Sequence, residues 1–421
     1  MRPVCLAPLL VLSLTAIAQE PSEQEPTEQE PEAWQREGFG WGALPAMNYS
    51  TDAGFGFGPL VTIYRYNGEV APYKSATTFL VFFTTKGVQA HRVDFDLLRV
   101  ADQPLRLTGG LRLDTGRTAN FCGYGNDVTC SKQVAEDAAD ALGLEGEEKD
   151  TFVRRYYLRR FVRPNAALYA RWMLNDKPHR IEAMLGWRGA YNLSGDFAEP
   201  EPYPGSLYAT LHPEGEDGFV SVLQAGLMLD NRDNEPAPTR GYWVESTVRG
   251  AHAVLGSEWG FLGVNATLRG YLPIVSEGRL VLADRLVFDG MTGAPPTDEL
   301  KRIGGSQGYN KYGGGNAGRG IRGNRYIGKV FAMDQAELRW RFARFKIAGV
   351  PLAMTLIGFA DIGFVAEEWS DVGDAFSQPL VGEGGGWRIA VDENFIIRVD
   401  AGFSAIEDYS AGIYIDIGNL F

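Results

Sequence analysis

The feature that most constrains this fold is a period-two alternation of apolar and polar residues in segments of about ten residues. In Phe395–Ser404, apolar residues occupy every second position, and Arg398, Asp400 and Ser404 fall on the opposite face. In Gly412–Phe421, one face carries Ile413, Ile415, Ile417 and Phe421, opposite Tyr414 and Asp416. This period belongs to β-strands with two different faces, so the chain is predicted to be all-β.

A soluble β-sandwich also alternates, with its polar face toward water and its apolar face toward a partner sheet. Here many segments reach ten residues or more, aromatic residues gather near their ends, and the chain ends on the aromatic Phe421. These features are typical of membrane barrels, whose strands are apolar toward lipid and polar toward the lumen. We therefore predict a transmembrane antiparallel β-barrel.

The alternation predicts sixteen strands, an even number, as expected when both ends of a single-chain bacterial barrel lie in the periplasm. The sixth contains Pro164 and is kept whole, with a bulge or bend expected at the proline. Odd-numbered connections include the long ones, which places them at the cell surface. The predicted strands are Phe39–Tyr49, Phe55–Tyr66, Tyr73–Thr85, Gln89–Val100, Leu105–Asp114, Arg155–Met173, His179–Leu193, Phe219–Leu229, Tyr242–Ala251, Trp259–Leu272, Arg279–Phe288, Phe331–Phe342, Leu352–Phe364, Gly386–Val391, Phe395–Ser404 and Gly412–Phe421.

The N-terminus reads as a bacterial export signal. Arg2 precedes an apolar run and an A-x-A site, which predicts cleavage after Ala18 and residues 1–18 as a signal peptide. Residues 19–37 form an acidic tract punctuated by proline, predicted to be a disordered periplasmic leader, with a docking tail for a basic partner as the alternative. The barrel is then residues 38–421, in the outer membrane of a Gram-negative bacterium.

Charge and cysteine usage exclude several functional classes. The net charge of −13 argues against a nucleic-acid partner. Cys122 and Cys130 are close in an exported chain, so a disulfide is favoured over a metal site. The four histidines are scattered, and we expect neither a metal nor a cofactor.

The segment Arg302–Lys329 carries ten glycines and is called the glycine-rich loop below. Glycine buries no side chain and loses much backbone freedom on ordering, so this loop must be held by the barrel. Three enzyme-like strings occur in it: a G-x-S-x-G string from Gly304, a dinucleotide-type glycine pattern from Gly313, and a near P-loop from Gly323. None has the strand and helix context that its chemistry needs, so no enzyme is predicted.

Several motifs in this order resemble the BamA/TamA-like bacterial surface antigen superfamily of outer-membrane assembly and translocation barrels. Ile321-Arg322-Gly323 resembles its Val/Ile-Arg-Gly-aromatic motif on the sixth extracellular loop, with Asn324 where an aromatic residue is usual. Strand thirteen carries Phe359-Ala360-Asp361-Ile362-Gly363, similar to the family's aromatic-x-Asp-x-Gly. The other similar elements are Ala336-Glu337-Leu338-Arg339, Asp230–Gly241 and Phe121-Cys122-Gly123-Tyr124-Gly125-Asn126.

The resemblance implies a sixth loop folded into the lumen. An arginine guanidinium suits carboxylates, and Asp361 and Glu337 fall on polar strand faces, so we predict an Arg322–Asp361 pair with Glu337 nearby. Such a lock could serve stability alone or a mechanism. The loop-lock residues are Ile321, Arg322, Gly323, Glu337, Phe359, Asp361 and Gly363.

The resemblance also implies insertion or transport of proteins through a seam between the first and last strands. The predicted seam residues are Gly40, Gly42, Pro45, Gly412, Gly418 and Phe421; glycine and proline weaken strand pairing. The implied partners are outer-membrane lipid and lipopolysaccharide, and β-barrel or secreted client proteins. A short member lacking POTRA domains is expected, with a periplasmic protein replacing them. The alternative is a passive pore or structural barrel.

Overall fold

The computed structural model describes residues 37–70, 72–176, 179–275, 278–306, 312–347, 350–391 and 395–421. The predicted signal peptide and the leader up to residue 36 lie outside these residues. The described chain forms one closed barrel in which each strand pairs with its sequence neighbours and β1 pairs with β16. Every pairing is antiparallel. The predicted sixteen-strand antiparallel barrel is confirmed.

The strands are β1 Glu37–Ser50, β2 Gly54–Asn67, β3 Ser75–Thr84, β4 Val88–Leu97, β5 Leu105–Asn120, β6 Leu158–Asn175, β7 Arg180–Asn192, β8 Gly218–Asp230, β9 Gly241–Ala251, β10 Phe261–Val275, β11 Leu280–Gly293, β12 Val330–Ile347, β13 Val350–Ala366, β14 Leu380–Val391, β15 Phe395–Phe403 and β16 Gly412–Ile417. The described α-helices are α1 Lys132–Ala141, α2 Gly146–Arg155, α3 Leu207–Leu211, α4 Thr297–Leu300 and α5 Val372–Ser377. Short 3-10 turns occupy Val100–Asp102, Ala253–Leu255, Trp369–Asp371 and Ala405–Glu407. No helix in the described part of the chain has the length and apolar character to cross a bilayer.

The barrel wall has an apolar outside and a polar inside. On β12, Leu338 and Trp340 are 45% and 48% exposed, whereas the alternating Glu337 and Arg339 are 0% and 7% exposed. Period-two alternation produces this pattern because successive side chains in a strand point to opposite faces. The predicted face assignment on β12 is therefore correct.

The connections divide the barrel into two rims. The long connections, residues 121–157, 193–217, 294–329 and 367–379, all lie at one end, which we call the long-loop rim. The connections of the other end, the short-turn rim, are residues 68–74, 98–104, 176–179, 231–240, 276–279, 348–349 and 392–394. The predicted alternation of long and short connections is confirmed.

Several predicted strand boundaries need correction. β5, β11 and β12 continue to Asn120, Gly293 and Ile347, beyond their predicted ends at Asp114, Phe288 and Phe342. β14 begins at Leu380 and not at Gly386, because the glycine-rich stretch before Gly386 continues the ladder with β13 and β15. β6 begins at Leu158, after α2. Pro164 lies inside β6 as predicted, but the local register shift is on the facing strand, between Gly116 and Ala119 of β5.

The C-terminus also differs from the prediction. β16 ends at Ile417, and Gly418 adopts a φ of +92°, a conformation that suits glycine. The chain then leaves the wall, and Phe421 is only 5% exposed instead of facing lipid. It packs in an apolar cluster with Tyr271, Val281, Ala283 and Leu420.

The barrel is closed unevenly. β1 pairs with β2 at fourteen positions, from Glu37↔Asn67 to Ser50↔Gly54. Within the described residues it pairs with β16 at two positions only, Tyr49↔Ile415 and Ser50↔Tyr414. Most of β1 therefore has a ladder on one side, and the β1–β16 junction is the weakest closure of the wall.

This uneven closure predicts uneven amide protection. Along residues 37–48 of β1, backbone N–H groups directed toward β2 should exchange slowly, whereas those directed toward β16 should exchange much faster because they lack a ladder partner. Hydrogen–deuterium exchange of the purified barrel, resolved by residue, measures this difference. β12, which is paired on both sides, is the internal control. Uniform protection along both edges of β1 would contradict the prediction.

Candidate functional site

Arg319 of the glycine-rich loop binds carboxylates on three strands of the wall. Its Nη2 lies 2.8 Å from Asp361 Oδ1, and its Nε donates to Asp361 Oδ2 at 3.0 Å. Its Nη1 lies 2.6 Å from Glu337 Oε1 and 3.4 Å from Asp400 Oδ2. The guanidinium carbon also lies 3.5 Å from the centre of the Phe359 ring. One side chain thus joins the loop to β12, β13 and β15.

This cluster, which we call the arginine lock, is buried and charge-balanced. The side chains of Arg319, Glu337, Asp361 and Asp400 are all 0% exposed. Further ion pairs extend the cluster, so that four arginines face four carboxylates. The additional members are Arg339 with Glu337, Arg388 with Asp400, and Arg398 with Asp416. Such balance is required because an uncompensated buried charge is costly.

Glycines on the wall allow the loop backbone to approach closely. A Cβ at Gly382 of β14 would lie 2.1 Å from the carbonyl oxygen of Arg319, and one at Gly402 of β15 would lie 2.6 Å from its carbonyl carbon. Gly320 has a φ of +94°, and a Cβ there would lie 2.4 Å from the backbone nitrogen of Phe403. Any other residue at these three positions would push the loop away from the wall.

The position of Tyr312 explains why residue 363, the last of the motif on β13, is a glycine. Its hydroxyl donates toward the backbone oxygens of Asp361 and Leu380, at 2.9 and 2.7 Å. Its ring covers Gly363, where a Cβ would lie 2.2 Å from a ring carbon. Tyr312 therefore positions Asp361 through its backbone, while Arg319 binds its carboxylate.

The predicted Arg322–Asp361 pair is wrong. Arg322 is half exposed, and its Nε lies 2.7 Å from Glu407 Oε2 in the β15–β16 connection. Arg325 binds the other oxygen of Glu407, at 2.7 Å. The Arg-Gly pair that reaches Asp361 lies three residues earlier, at Arg319-Gly320, where the backbone packs against Gly382 and Gly402 of the wall.

The remaining predicted loop residues take other positions around the lock. Ile321 follows the true Arg-Gly pair and is fully buried, with Tyr312 and Phe331 in its cluster. The carbonyl oxygen of Gly323 accepts a hydrogen bond from Asn120 Nδ2 at 3.1 Å. Asn324 has a φ of +58°, a conformation that asparagine tolerates better than an aromatic residue.

A second anchor holds the segment before the glycine-rich loop. In α4, Asp298 binds Arg159 at 2.7 Å, and Glu299 binds Arg163 and Arg188 at 2.5 Å each. Burial alone would raise the pKa of the Glu299 carboxyl, but Arg188 and Arg163 outweigh it and hold that pKa below its usual range. Both carboxylates are therefore charged at neutral pH.

The long connection between β5 and β6, residues 121–157, forms hydrogen bonds with neighbouring segments of the long-loop rim. Gly125 N–H donates to the carbonyl oxygen of Ile327 at 2.8 Å, and the Tyr124 hydroxyl lies 2.6 Å from Thr297 Oγ1. Asn126 Oδ1 accepts from the Val365 N–H at 3.0 Å. A disulfide joins Cys122 and Cys130 beside this element.

The predicted seam residues other than Phe421 lie in or next to the two strands of the β1–β16 junction. Gly40, Gly42 and Pro45 belong to β1, where Pro45 faces Pro59 of β2, so neither residue of that pair donates an N–H. Gly412 begins β16 opposite Gly402. Phe421 is not at the seam: its ring lies 5.0 Å from the Arg339 guanidinium, and its backbone oxygen accepts from Arg339 Nη2 at 3.0 Å.

The chemistry of the site is that of a clamp. Arg319 directs its guanidinium nitrogens to carboxylates, and its backbone N–H donates to Asp361 Oδ2 at 2.9 Å. The described residues contain no group of three or more histidine, cysteine or acidic residues placed to hold a metal ion. The arrangement can fix a loop against three strands, β12, β13 and β15.

Sequence reasoning identified Asp361, Glu337, Phe359 and Gly363 but missed Arg319 and Tyr312. A signal for Arg319 was present, because it stands between two glycines, Gly318 and Gly320. A long side chain flanked by glycines is expected where a backbone must approach another closely.

Solved structures share this architecture. A BamA structure from Haemophilus ducreyi lacking POTRA domains 1–3 matches with a TM-score of 0.57 and 12% identity, covering 91% of this chain and 70% of that one. CdiB from Escherichia coli matches with a TM-score of 0.55 and 10% sequence identity, and CdiB from Acinetobacter baumannii with a TM-score of 0.50 and 12% identity. Each match covers 90% of this chain. The chain spans 63% and 60% of those two, less than two thirds of their length.

Comparison with curated protein sequences gave no match. The model of the Omp85 superfamily domain matches residues 123–418, more than half of the chain. That range contains the arginine lock and strands β6 to β16. The chain is therefore an outer-membrane β-barrel that belongs to the Omp85 superfamily.

Proposed function

We propose that this barrel assists the insertion or transport of other proteins at the outer membrane, by separating β1 from β16. The supporting observation is the closure itself, with two paired positions at that junction against fourteen between β1 and β2. A strand with an unpaired edge offers N–H and C=O groups to another strand. The clients are β-barrel or secreted proteins, and the role is not enzymatic.

The exposed face of β1 suits such a seam. Phe39 and Trp41 are 80% and 77% exposed, and both lie in the part of β1 that has no partner in β16. A client strand that pairs with this edge would gain backbone hydrogen bonds and extend the sheet. Lipid and lipopolysaccharide surround the junction from outside, and a periplasmic partner would deliver the client.

We further place the glycine-rich loop inside the lumen, held there by the arginine lock. The carboxylates that bind Arg319 alternate with lipid-exposed residues on their strands, so they project inward. Ordering a loop costs about 1–2 kcal/mol per residue, and a buried network of charged groups can offset that cost. A loop inside the lumen would obstruct a passive pore. The following experiments distinguish a passive pore from the proposed role in insertion or transport.

The seam proposal is tested by locking the junction with a disulfide. Cysteines at Tyr49 and Ile415, which face each other, should stop client insertion when oxidised and restore it when reduced, because β1 can no longer leave β16. The measurement is the fraction of a small unfolded β-barrel client that folds into proteoliposomes containing the Y49C/I415C barrel.

The matched control is M47C/F57C, which joins β1 to β2 at an established pair and leaves the seam free. Oxidation of this control should leave insertion unchanged. The seam proposal fails if oxidised Y49C/I415C inserts the client as fast as its reduced form. Steady open channels in planar bilayers would then favour the passive pore.

The arginine lock is tested by comparing two arginines of the same loop. Arg319→Ala should lower the temperature at which the barrel loses its compact band in gel electrophoresis, because it leaves the buried Asp361 carboxylate without its arginine; breaking a buried pair costs about 3–5 kcal/mol. Arg322→Ala removes a half-exposed pair with Glu407 and should change little, since such pairs contribute about 0–1 kcal/mol.

Arg319→Lys is the intermediate variant, because lysine keeps the charge but not the forked geometry. We expect an unfolding temperature between those of the wild type and Arg319→Ala. Equal effects of Arg319→Ala and Arg322→Ala would contradict the assignment of the lock to Arg319. Conductance recorded on the same proteins reports whether the loop blocks the lumen.

A further inference from the structure

A basic pocket opens at the short-turn rim, beside the end of β12. It has a volume of about 610 Å³, and its lining includes Arg339, Arg341, Arg344, Lys346 and Arg388. Asp233 is a carboxylate in the lining, and its oxygens accept hydrogen bonds from the Thr239 side chain and from the backbone of Thr239 and Arg240. Arg339 and Arg388 are paired with Glu337 and Asp400, so the excess positive charge of the pocket comes chiefly from Arg344 and Lys346.

Two of these cations project beyond the wall. The β11–β12 ladder ends at Leu280↔Trp340, whereas β12 and β13 stay paired as far as Ile347↔Val350. Arg344 and Lys346 lie in this projecting part, two residues apart, and so share one face of β12. Neither forms an ion pair with a carboxylate among the described residues, in contrast to Arg339 and Arg388.

The chain itself contains an acidic segment that must emerge at the same rim. β1 begins at Glu37, and in an antiparallel barrel every odd-numbered strand begins at the same end, as β13 does at Val350. Residues 19–36 directly precede β1 and contain six glutamates and one arginine, Arg36. The acids follow a five-residue pattern, EPSEQ, EPTEQ and EPEAW.

The segment is long enough to reach the pocket. From β1 to β12, by way of β16, β15, β14 and β13, there are five strand spacings of about 4.8 Å, or about 24 Å. Thr27 stands ten residues before Glu37, and an extended chain of that length spans up to about 33 Å. The central glutamates, Glu25 and Glu28, can therefore lie against Arg344 and Lys346.

We propose that residues 19–36 bind this basic pocket and lie across the short-turn rim of their own barrel. The charges are complementary, and tethering to β1 keeps the acidic segment at a high local concentration beside the pocket. The segment then competes for the pocket with any acidic polypeptide that approaches the barrel from that side. This inference goes beyond the proposed function and does not depend on the seam.

The test is proximity crosslinking in the full-length protein. T27C/I347C places cysteines in the leader and beside the basic pair without removing a charge. T27C/E69C is the control: Glu69 follows β2, next to β1, so it is closer to the leader along the wall but lies outside the basic pocket. Removing Glu69 also removes an acid that would repel the leader, which biases the control against the proposal.

We expect a disulfide yield at least several-fold higher for T27C/I347C than for T27C/E69C, falling toward the control level in 0.5 M salt because ions screen the attraction. Adding R344E/K346E should abolish the difference, and combining it with E25K/E28K should restore it. If the R344E/K346E protein does not fold, as judged by loss of the compact band in gel electrophoresis, R344Q/K346Q replaces it in the same experiment.

Two results would overturn the proposal. Equal crosslinking at residues 347 and 69 would mean that tethering alone brings the leader to the rim. Crosslinking at residue 347 that survives R344E/K346E, together with loss of binding to phosphatidylglycerol vesicles in that variant, would assign the basic pair to lipid headgroups. Because neither readout involves a client protein, failure here leaves the seam experiment unaffected.

Discussion

The burial of Arg319 among three carboxylates is the interaction on which this structure depends. Glu337, Asp361 and Asp400 lie on three different strands and are fully buried. Arg339 and Arg388 also bind Glu337 and Asp400, so without Arg319 the cluster would hold one uncompensated negative charge, at Asp361. The loop gains an anchor, and the wall gains a counter-ion. The glycine-rich loop and this side of the barrel therefore stabilise each other.

The location of the lock also determines which part of the wall can move. The described ion pairs of Arg319 are with β12, β13 and β15, and the adjacent Gly320 N–H donates to the hydroxyl of Tyr414 in β16 at 3.2 Å. The arginine lock is thus attached to strands on the β16 side of the seam, whereas Gly323 of the loop also accepts a hydrogen bond from Asn120 of β5. β1 can leave β16 on the proposed route without breaking any of these ion pairs.

Most of the barrel could be predicted from the sequence because lipid outside and charge inside force a period of two on every strand. The same rule found Asp361 and Glu337, since an acidic residue in an alternating strand must face inward. It could not choose among Arg319, Arg322 and Arg325, because a glycine-rich loop has no period. The close approach at Arg319 depends on Gly382 and Gly402, which are distant in sequence, so the loop sequence alone could not reveal it.

The terminal aromatic residue misled sequence reasoning for a related reason. Phe421 continues the apolar positions of β16 in the sequence, but Gly418 turns the chain away before that strand can lengthen. Arg339 then binds both Glu337 of the lock and the backbone oxygen of Phe421. Arg339 therefore connects the lock to the C-terminal residue, which packs with Tyr271 and Val281 of β10 and β11 and not beside β1.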